Sequence, residues 1–168
     1  RITALDAQTG DSLWTFQTAE GGFVWEAPHV EDGVVYAGTW GNSPTSAFFA
    51  LDAQTGEQIW KTNGFLTHAV TLSEDKVFVN SGGPVVAMDK ATGEILWKVP
   101  FEYSGHNNLV YLAGYVYHVR YGKFVVIDAD SGNVVYEEPP RDGSYFWHVA
   151  ASSDKVFAQT SNHLYAYQ

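Results

Sequence analysis

Ala4-Leu5-Asp6-Ala7-Gln8-Thr9-Gly10 is followed, four residues past its glycine, by Trp14. The same string returns as Ala50-Leu51-Asp52-Ala53-Gln54-Thr55-Gly56 with Trp60, and as Ala87-Met88-Asp89-Lys90-Ala91-Thr92-Gly93 with Trp97. A weaker copy, Val126-Ile127-Asp128-Ala129-Asp130-Ser131-Gly132, leads to Tyr136. The aspartates at 6, 52, 89 and 128 are 46, 37 and 39 residues apart. Self-similarity at such a period means one supersecondary unit copied several times. Each element of the string has a mechanical use. An Asp carboxylate accepts hydrogen bonds from turn amides, and Gly supplies the positive φ of a tight hairpin. The aromatic then stands on the next strand, where it can fill space between neighbouring sheets.

Working outward from the hairpins, two further strand-like stretches fall in each unit. One begins near Trp25, Thr67, His106 and Trp147. The next contains Val34-Val35-Tyr36-Ala37, Lys76-Val77-Phe78-Val79, Tyr115-Val116-Tyr117 and Lys155-Val156-Phe157-Ala158. Gly, Ser and Asp separate these short apolar runs, which defeats a helical reading. Four short strands in about 40 residues is the arithmetic of a propeller blade. The chain is therefore expected to be an all-β propeller of four-stranded blades, either a closed four-bladed ring or part of a larger one. The repeats of this single domain, 1–168, start near 1, 47, 84 and 123, with a partial fifth at 162–168.

The pattern Ala-x-Asp-x-x-Thr-Gly-x-x-x-Trp resembles the tryptophan-docking motif of pyrroloquinoline-quinone (PQQ) type propellers. Three copies match fully; Val126, Ser131 and Tyr136 depart from it, implying a looser contact at that blade. The resemblance implies a structural role for Trp14, Trp60, Trp97 and Tyr136. The family includes quinoprotein alcohol dehydrogenases. It also includes non-enzymatic members, such as the propeller lipoprotein of outer-membrane barrel assembly and sensor domains of membrane proteins.

Counting strands leaves one over. The chain opens on a third and a fourth strand and finishes on a first, a second and another third. Residues 12–17 and 155–168 are thus expected in or beside one blade. Either the chain is a fragment of a larger ring, or a terminus swaps or hangs free. An unpaired terminal strand is an edge that another chain can join, so self-association is expected there.

Composition narrows the function. The 168 residues are 45% hydrophobic and 17% charged, which excludes disorder and coiled coil. A net charge of −10 repels phosphate backbones and anionic bilayers, so nucleic acid and membrane surfaces are poor partners. The acidic residues are spread along the chain, as solubility requires. The absence of Cys excludes disulfides, thiolate nucleophiles and Cys-ligated metals. No run approaches the roughly 20 apolar residues of a membrane helix. The chain begins at Arg1 without a visible signal peptide, so a processed protein or a piece of a longer one is expected, and secreted, periplasmic or cell-surface location.

Aligning the first strands gives a candidate site. They begin Phe23-Val24-Trp25-Glu26, Phe65-Leu66-Thr67-His68, Tyr103-Ser104-Gly105-His106 and Tyr145-Phe146-Trp147-His148. First strands line a propeller channel, so Glu26, His68, His106 and His148 are expected to face the axis at one level, with Trp25 and Trp147 beside them. Three imidazoles and a carboxylate suit a divalent metal such as zinc. The same ring can instead hold a polar ligand or peptide, or merely line the channel and bind water. Trp40, in the insertion Gly38–Pro44, and Phe146 are further candidates; His29, His118 and His163 share no blade position and read as structural. The run Asp128–Asn133 imitates a calcium loop, but its twelfth position is Pro139 where a Glu is needed.

Nucleophile-elbow, phosphate-loop and zinc-protease motifs are absent. The function expected is a non-catalytic, extracytoplasmic binding or assembly module with a protein, peptide or glycan partner and no resident cofactor. The alternatives are a fragment of a PQQ-dependent dehydrogenase and a metal-centred propeller. The resemblance weighs against PQQ itself. Such enzymes are far longer, and many carry a vicinal disulfide that this chain cannot form.

Overall fold

A computed structural model describes residues 1–18, 27–39, 46–64, 66–101, 108–120 and 122–168. The chain divides into two compact units, Arg1–Thr67 and His68–Gln168. The described residues form strands and turns only. It is an all-β propeller architecture of antiparallel sheets whose strands pair in sequence order, three of them with four strands.

In the first unit, β1 (Ile2–Leu5) pairs with β2 (Ser12–Phe16), a sheet of two strands. The complete blade follows: β3 (His29–Glu31), β4 (Val34–Gly38), β5 (Ala47–Asp52) and β6 (Gln58–Asn63). Its β5 is apolar on both faces, as a strand sandwiched between layers must be. Val35, Ala47, Phe49 and Leu51 form the core of this unit, with Ile2, Trp14 and Phe16 packed against it.

The second unit holds two complete blades. One is β7 (Ala69–Leu72), β8 (Lys76–Asn80), β9 (Val85–Asp89) and β10 (Ile95–Val99). The other is β11 (Leu109–Leu112), β12 (Tyr115–Arg120), β13 (Lys123–Asp128) and β14 (Val134–Glu138). A three-stranded sheet closes the series: β15 (Phe146–Ala151), β16 (Val156–Thr160) and β17 (Leu164–Tyr167). Within the first unit β2 pairs with β1, and within the second β17 pairs with β16.

First strands of this unit are stitched side by side. The Tyr111 amide donates to Thr71 Oγ1 at 3.1 Å, joining β11 to β7. Asn108 clamps β15 by accepting from the Val149 amide and donating to the Val149 carbonyl. A side chain thereby does what a neighbouring strand would do, satisfying backbone groups that cannot be left bare in a packed hub.

Candidate functional site

The repeated turns are built alike. Asp6 Oδ1 accepts from the amides of Gln8 at 2.9 Å and Thr9 at 2.7 Å. Asp52 Oδ1 does the same with Gln54 and Thr55, and Asp89 Oδ1 with Ala91 and Thr92. Asp128 Oδ1 accepts from the Ser131 amide at 2.8 Å and its hydroxyl at 2.7 Å. These donors favour the ionised form and hold all four carboxyls below their ordinary range.

On two of these turns an indole lies across the glycine. Trp14 Nε1 donates to Ala53 O at 3.0 Å, and Trp97 Nε1 to Ala129 O at 3.0 Å. A Cβ on Gly56 would come within 2.6 Å of the Trp14 ring, and one on Gly132 within 2.8 Å of the Trp97 ring. Glycine is therefore required twice over, for a φ near +75° and for the space the indole occupies. Trp60 is buried and packs against Tyr36 and Phe48 of its own unit. The fourth aromatic, Tyr136, is 46% exposed.

Beside Tyr136 lies a cavity of about 370 Å³ lined by Leu112, Tyr117, Phe124, Val135, Tyr167 and Gln168, among others. Two of the lining phenols share one acceptor: Glu138 accepts from Tyr136 at 2.7 Å and from Tyr167 at 2.5 Å. Burial raises the Glu138 carboxyl, yet the two phenols outweigh it and the net shift is downward. Burial first, then the Glu138 hydrogen bond, pushes Tyr167 well above the phenol range. Tyr167 also stacks on Phe124 with centroids 4.2 Å apart.

The outer edge of β17 adjoins this cavity. Four sheets carry a fourth strand on their third, β2 on β1 among them; β17 has β16 as its ladder partner among the described residues. In three sheets an alanine of the third strand stands opposite the tryptophan of the fourth, Ala4 with Trp14, Ala50 with Trp60 and Ala87 with Trp97, whereas Val126 stands opposite Tyr136 in the β11–β14 blade. Tyr167 is to Val156 as Leu51 is to Val35, so Ala166 occupies the Ala50 position. Ala166 is exposed, as is Leu164 beside it on the same face. Reading the sequence for catalytic groups did not bring out the sharing of Glu138 by Tyr136 and Tyr167, which lie 31 residues apart in the chain.

The channel residues are distributed differently. Trp25, Glu26, Trp40 and His106 lie outside the described residues. His68 precedes β7, is 2% exposed, and its amide donates to Asn80 O at 2.9 Å. His148 is an exposed residue of β15, opposite Gln159. Asn80 and Gln159 hold equivalent places in β8 and β16, and the residue opposite Asn80 is Ala69. His148 therefore corresponds to Ala69, one position beyond His68, after an irregularity in β15 between Phe146 and His148. A one-residue step turns a side chain to the other face of its sheet. Trp147 is half-exposed and donates to Ser161 Oγ at 3.1 Å, while Phe146 is buried. Among the described residues no three His, Asp or Glu side chains converge as a metal set.

The remaining histidines have local roles. His29 is exposed on β3. His118 is fully buried, stacks on Phe101 at 6.0 Å, and sits at 3.3 Å from Asn108 O. Burial lowers it to about 4. His163 pairs with Asp142 at 2.8 Å. Among the described residues no helix is long and apolar enough to cross a membrane.

BamB from Moraxella catarrhalis superposes with a TM-score of 0.80 at 22% identity, over 98% of this chain and 50% of that one. The computationally designed Ika4 protein matches with a TM-score of 0.69 at 14% identity, over 83% of this chain and 88% of that one. In sequence, the quinoprotein ethanol dehydrogenase of Pseudomonas aeruginosa is 29% identical over 144 residues. That match covers 70% of this chain and 21% of the dehydrogenase, so the chain spans about a fifth of it. The family pattern described as outer membrane protein assembly factor BamB matches residues 1–100 and again 81–168. Matched over its length in both sequence pattern and repeated four-stranded blades, the chain belongs to that BamB family of PQQ-like propellers.

Proposed function

We propose that this chain is a non-catalytic binding and assembly module of the cell envelope, with protein or peptide partners. The observation that carries this reading is coverage. The BamB likeness takes in 98% of the chain, whereas the ethanol dehydrogenase match leaves nearly a third of it aside. The exposed Tyr136 and the cavity beside it supply apolar surface of the kind proteins use to hold one another. On this reading Trp14, Trp60, Trp97 and Tyr136 are docking residues that hold the blades in register. Glu26, His68, His106 and His148 are polar lining for a bound partner and not a metal centre. The one-residue offset between His68 and His148 supports that choice.

The test uses a urea-unfolded, dye-labelled outer-membrane porin diluted into the purified chain, with anisotropy as the readout. Saturable binding, absent for an unfolded cytosolic β-protein of similar size, is expected. Equal binding to both, or to neither, overturns the reading.

A second reading, a segment of a quinoprotein dehydrogenase, is favoured by the 29% identity to the ethanol dehydrogenase. Dye reduction by the chain supplied with PQQ, calcium and ethanol would establish it in place of the first.

A further inference from the structure

We propose that His118 is the proton-sensitive element of a latch, in which Asn108 holds β15 against the start of β11 and acid releases it. The latch stands apart from the binding surface proposed above and does not rest on it.

Three contacts meet at this residue. His118 is fully buried on β12, and its ring lies over Phe101 with centroids 6.0 Å apart and 20° between the planes. Its Nδ1 stands 3.3 Å from Asn108 O, an atom that can only accept, so Nδ1 carries the proton of the neutral ring. The lone pair is then on Nε2, which has no hydrogen-bond partner among the described residues. A second proton would be placed on a buried atom with no acceptor for it. The Arg120 guanidinium, 4.5 Å from the centroid of the same Phe101 ring, adds like charge from the same face of β12. Arg120 is itself 3.7 Å from Glu137 of β14, which Lys123 of β13 also binds. Among the described residues, Arg120 is the charged group that bears on the imidazole.

Asn108 connects this imidazole to the next sheet. It accepts from the Val149 amide at 3.0 Å and donates to the Val149 carbonyl. Strand β12 lies between β11 and β13, with His118 opposite both Leu109 and Val125, so the His118 backbone is held on either side. Phe101 and Asn108 stand outside the strands, since β10 ends at Val99 and β11 begins at Leu109. They are the part of the enclosure that lifts most cheaply to hydrate Nε2, because few ladder bonds break. Burial, in the main, lowers the enclosed imidazole to about 4, whereas an opened one takes up its proton near 6.5. The latch is therefore closed above about 6.5 and loses its hold as pH falls toward 4.

Amide hydrogen exchange of the full chain at pH 7 and pH 4.5, corrected for the intrinsic rate at each pH, reads the latch at the Val149 amide. Its protection should fall roughly 50-fold in acid. The Tyr111 amide is the internal control. It donates to Thr71 Oγ1 at 3.1 Å, joining β11 to β7 instead, and its protection should stay within about 3-fold. His118→Asn keeps a donor for the Asn108 carbonyl and takes up no proton, so its Val149 amide should stay protected at pH 4.5. Should that variant misfold, the two amides of the parent chain decide alone. Equal loss at both amides, no loss at Val149, or a parent-like loss in a folded His118→Asn chain each overturns the proposal.

Discussion

Replacing Gly132 by alanine should cost far more than the same change at Gly114, although both residues sit in one sheet with positive φ. Gly114 has φ +86° and nothing within 4 Å of where its Cβ would be. Gly132 has φ +74°, and its Cβ would stand 2.8, 2.9 and 3.1 Å from three atoms of the Trp97 ring. A left-handed backbone costs an alanine about 1–2 kcal/mol at either site. At Gly132 the indole must also move. That forfeits its hydrogen bond to Ala129 O, a net loss of about 1 kcal/mol, and part of its packing against Phe78. The expected losses are about 1–2 kcal/mol for Gly114→Ala and about 3–4 kcal/mol for Gly132→Ala. Urea unfolding followed by tryptophan fluorescence reads both, with the slope against denaturant checked for constancy. Gly132→Ala in a Trp97→Ala background should fall back to the Gly114 value, because the ring it collides with is gone. Equal losses at the two glycines would refute the claim that the indole, and not the turn alone, dictates glycine at this position.

Trp60→Ala should cost about 3–5 kcal/mol, because the ring is buried against Tyr36 and Phe48; thermal unfolding measures it. His118 should make the fold acid-sensitive above the range where carboxylates titrate. Its neutral form is kept in the folded chain down to about 4, whereas the unfolded chain takes up a proton near 6.5. Stability is therefore full above the unfolded value and falls as pH drops toward 4, by up to about 3 kcal/mol. Urea midpoints at pH 7 and pH 4.5 should differ less in His118→Phe than in the parent chain; equal shifts would sink the assignment. The turn aspartates, with lowered values, lose their contribution only at more acid pH, so the two windows separate. Calorimetric zinc titration should show no stoichiometric site that His68→Ala and His148→Ala weaken alike, given the offset between them.

Much of the fold was legible because each hairpin carries its own instructions. Asp6, Asp52, Asp89 and Asp128 specify turns through local hydrogen bonds, and such contacts can be read from a short string. The channel site was less legible because it depends on a register that no local string fixes. Counting three residues from an aromatic places His148 with His68. The irregularity between Phe146 and His148 spends one residue of that count and shifts the rest of β15. A bulge costs the ladder one extra residue and leaves little trace in composition. Similar irregularities sit in every fourth strand, between Ala50 and Leu51 opposite Gln58 and Trp60, for example. They leave Ile59, Leu13, Leu96 and Val135 exposed, against the ordinary expectation for aliphatic side chains.

The departure of Tyr136 from tryptophan gains meaning beside Glu138. An indole donates one hydrogen bond and accepts none, so on a carbonyl such as Ala53 O or Ala129 O it has one fixed use. A phenol can turn to whatever acceptor is near, and Tyr136 turns to Glu138, a residue of its own strand, which Tyr167 also reaches. The fourth copy of the repeat is thus satisfied within its own neighbourhood where the first and third reach across to the next turn. A groove whose aromatic already has its hydrogen bond can stand open without an unpaired polar group in it.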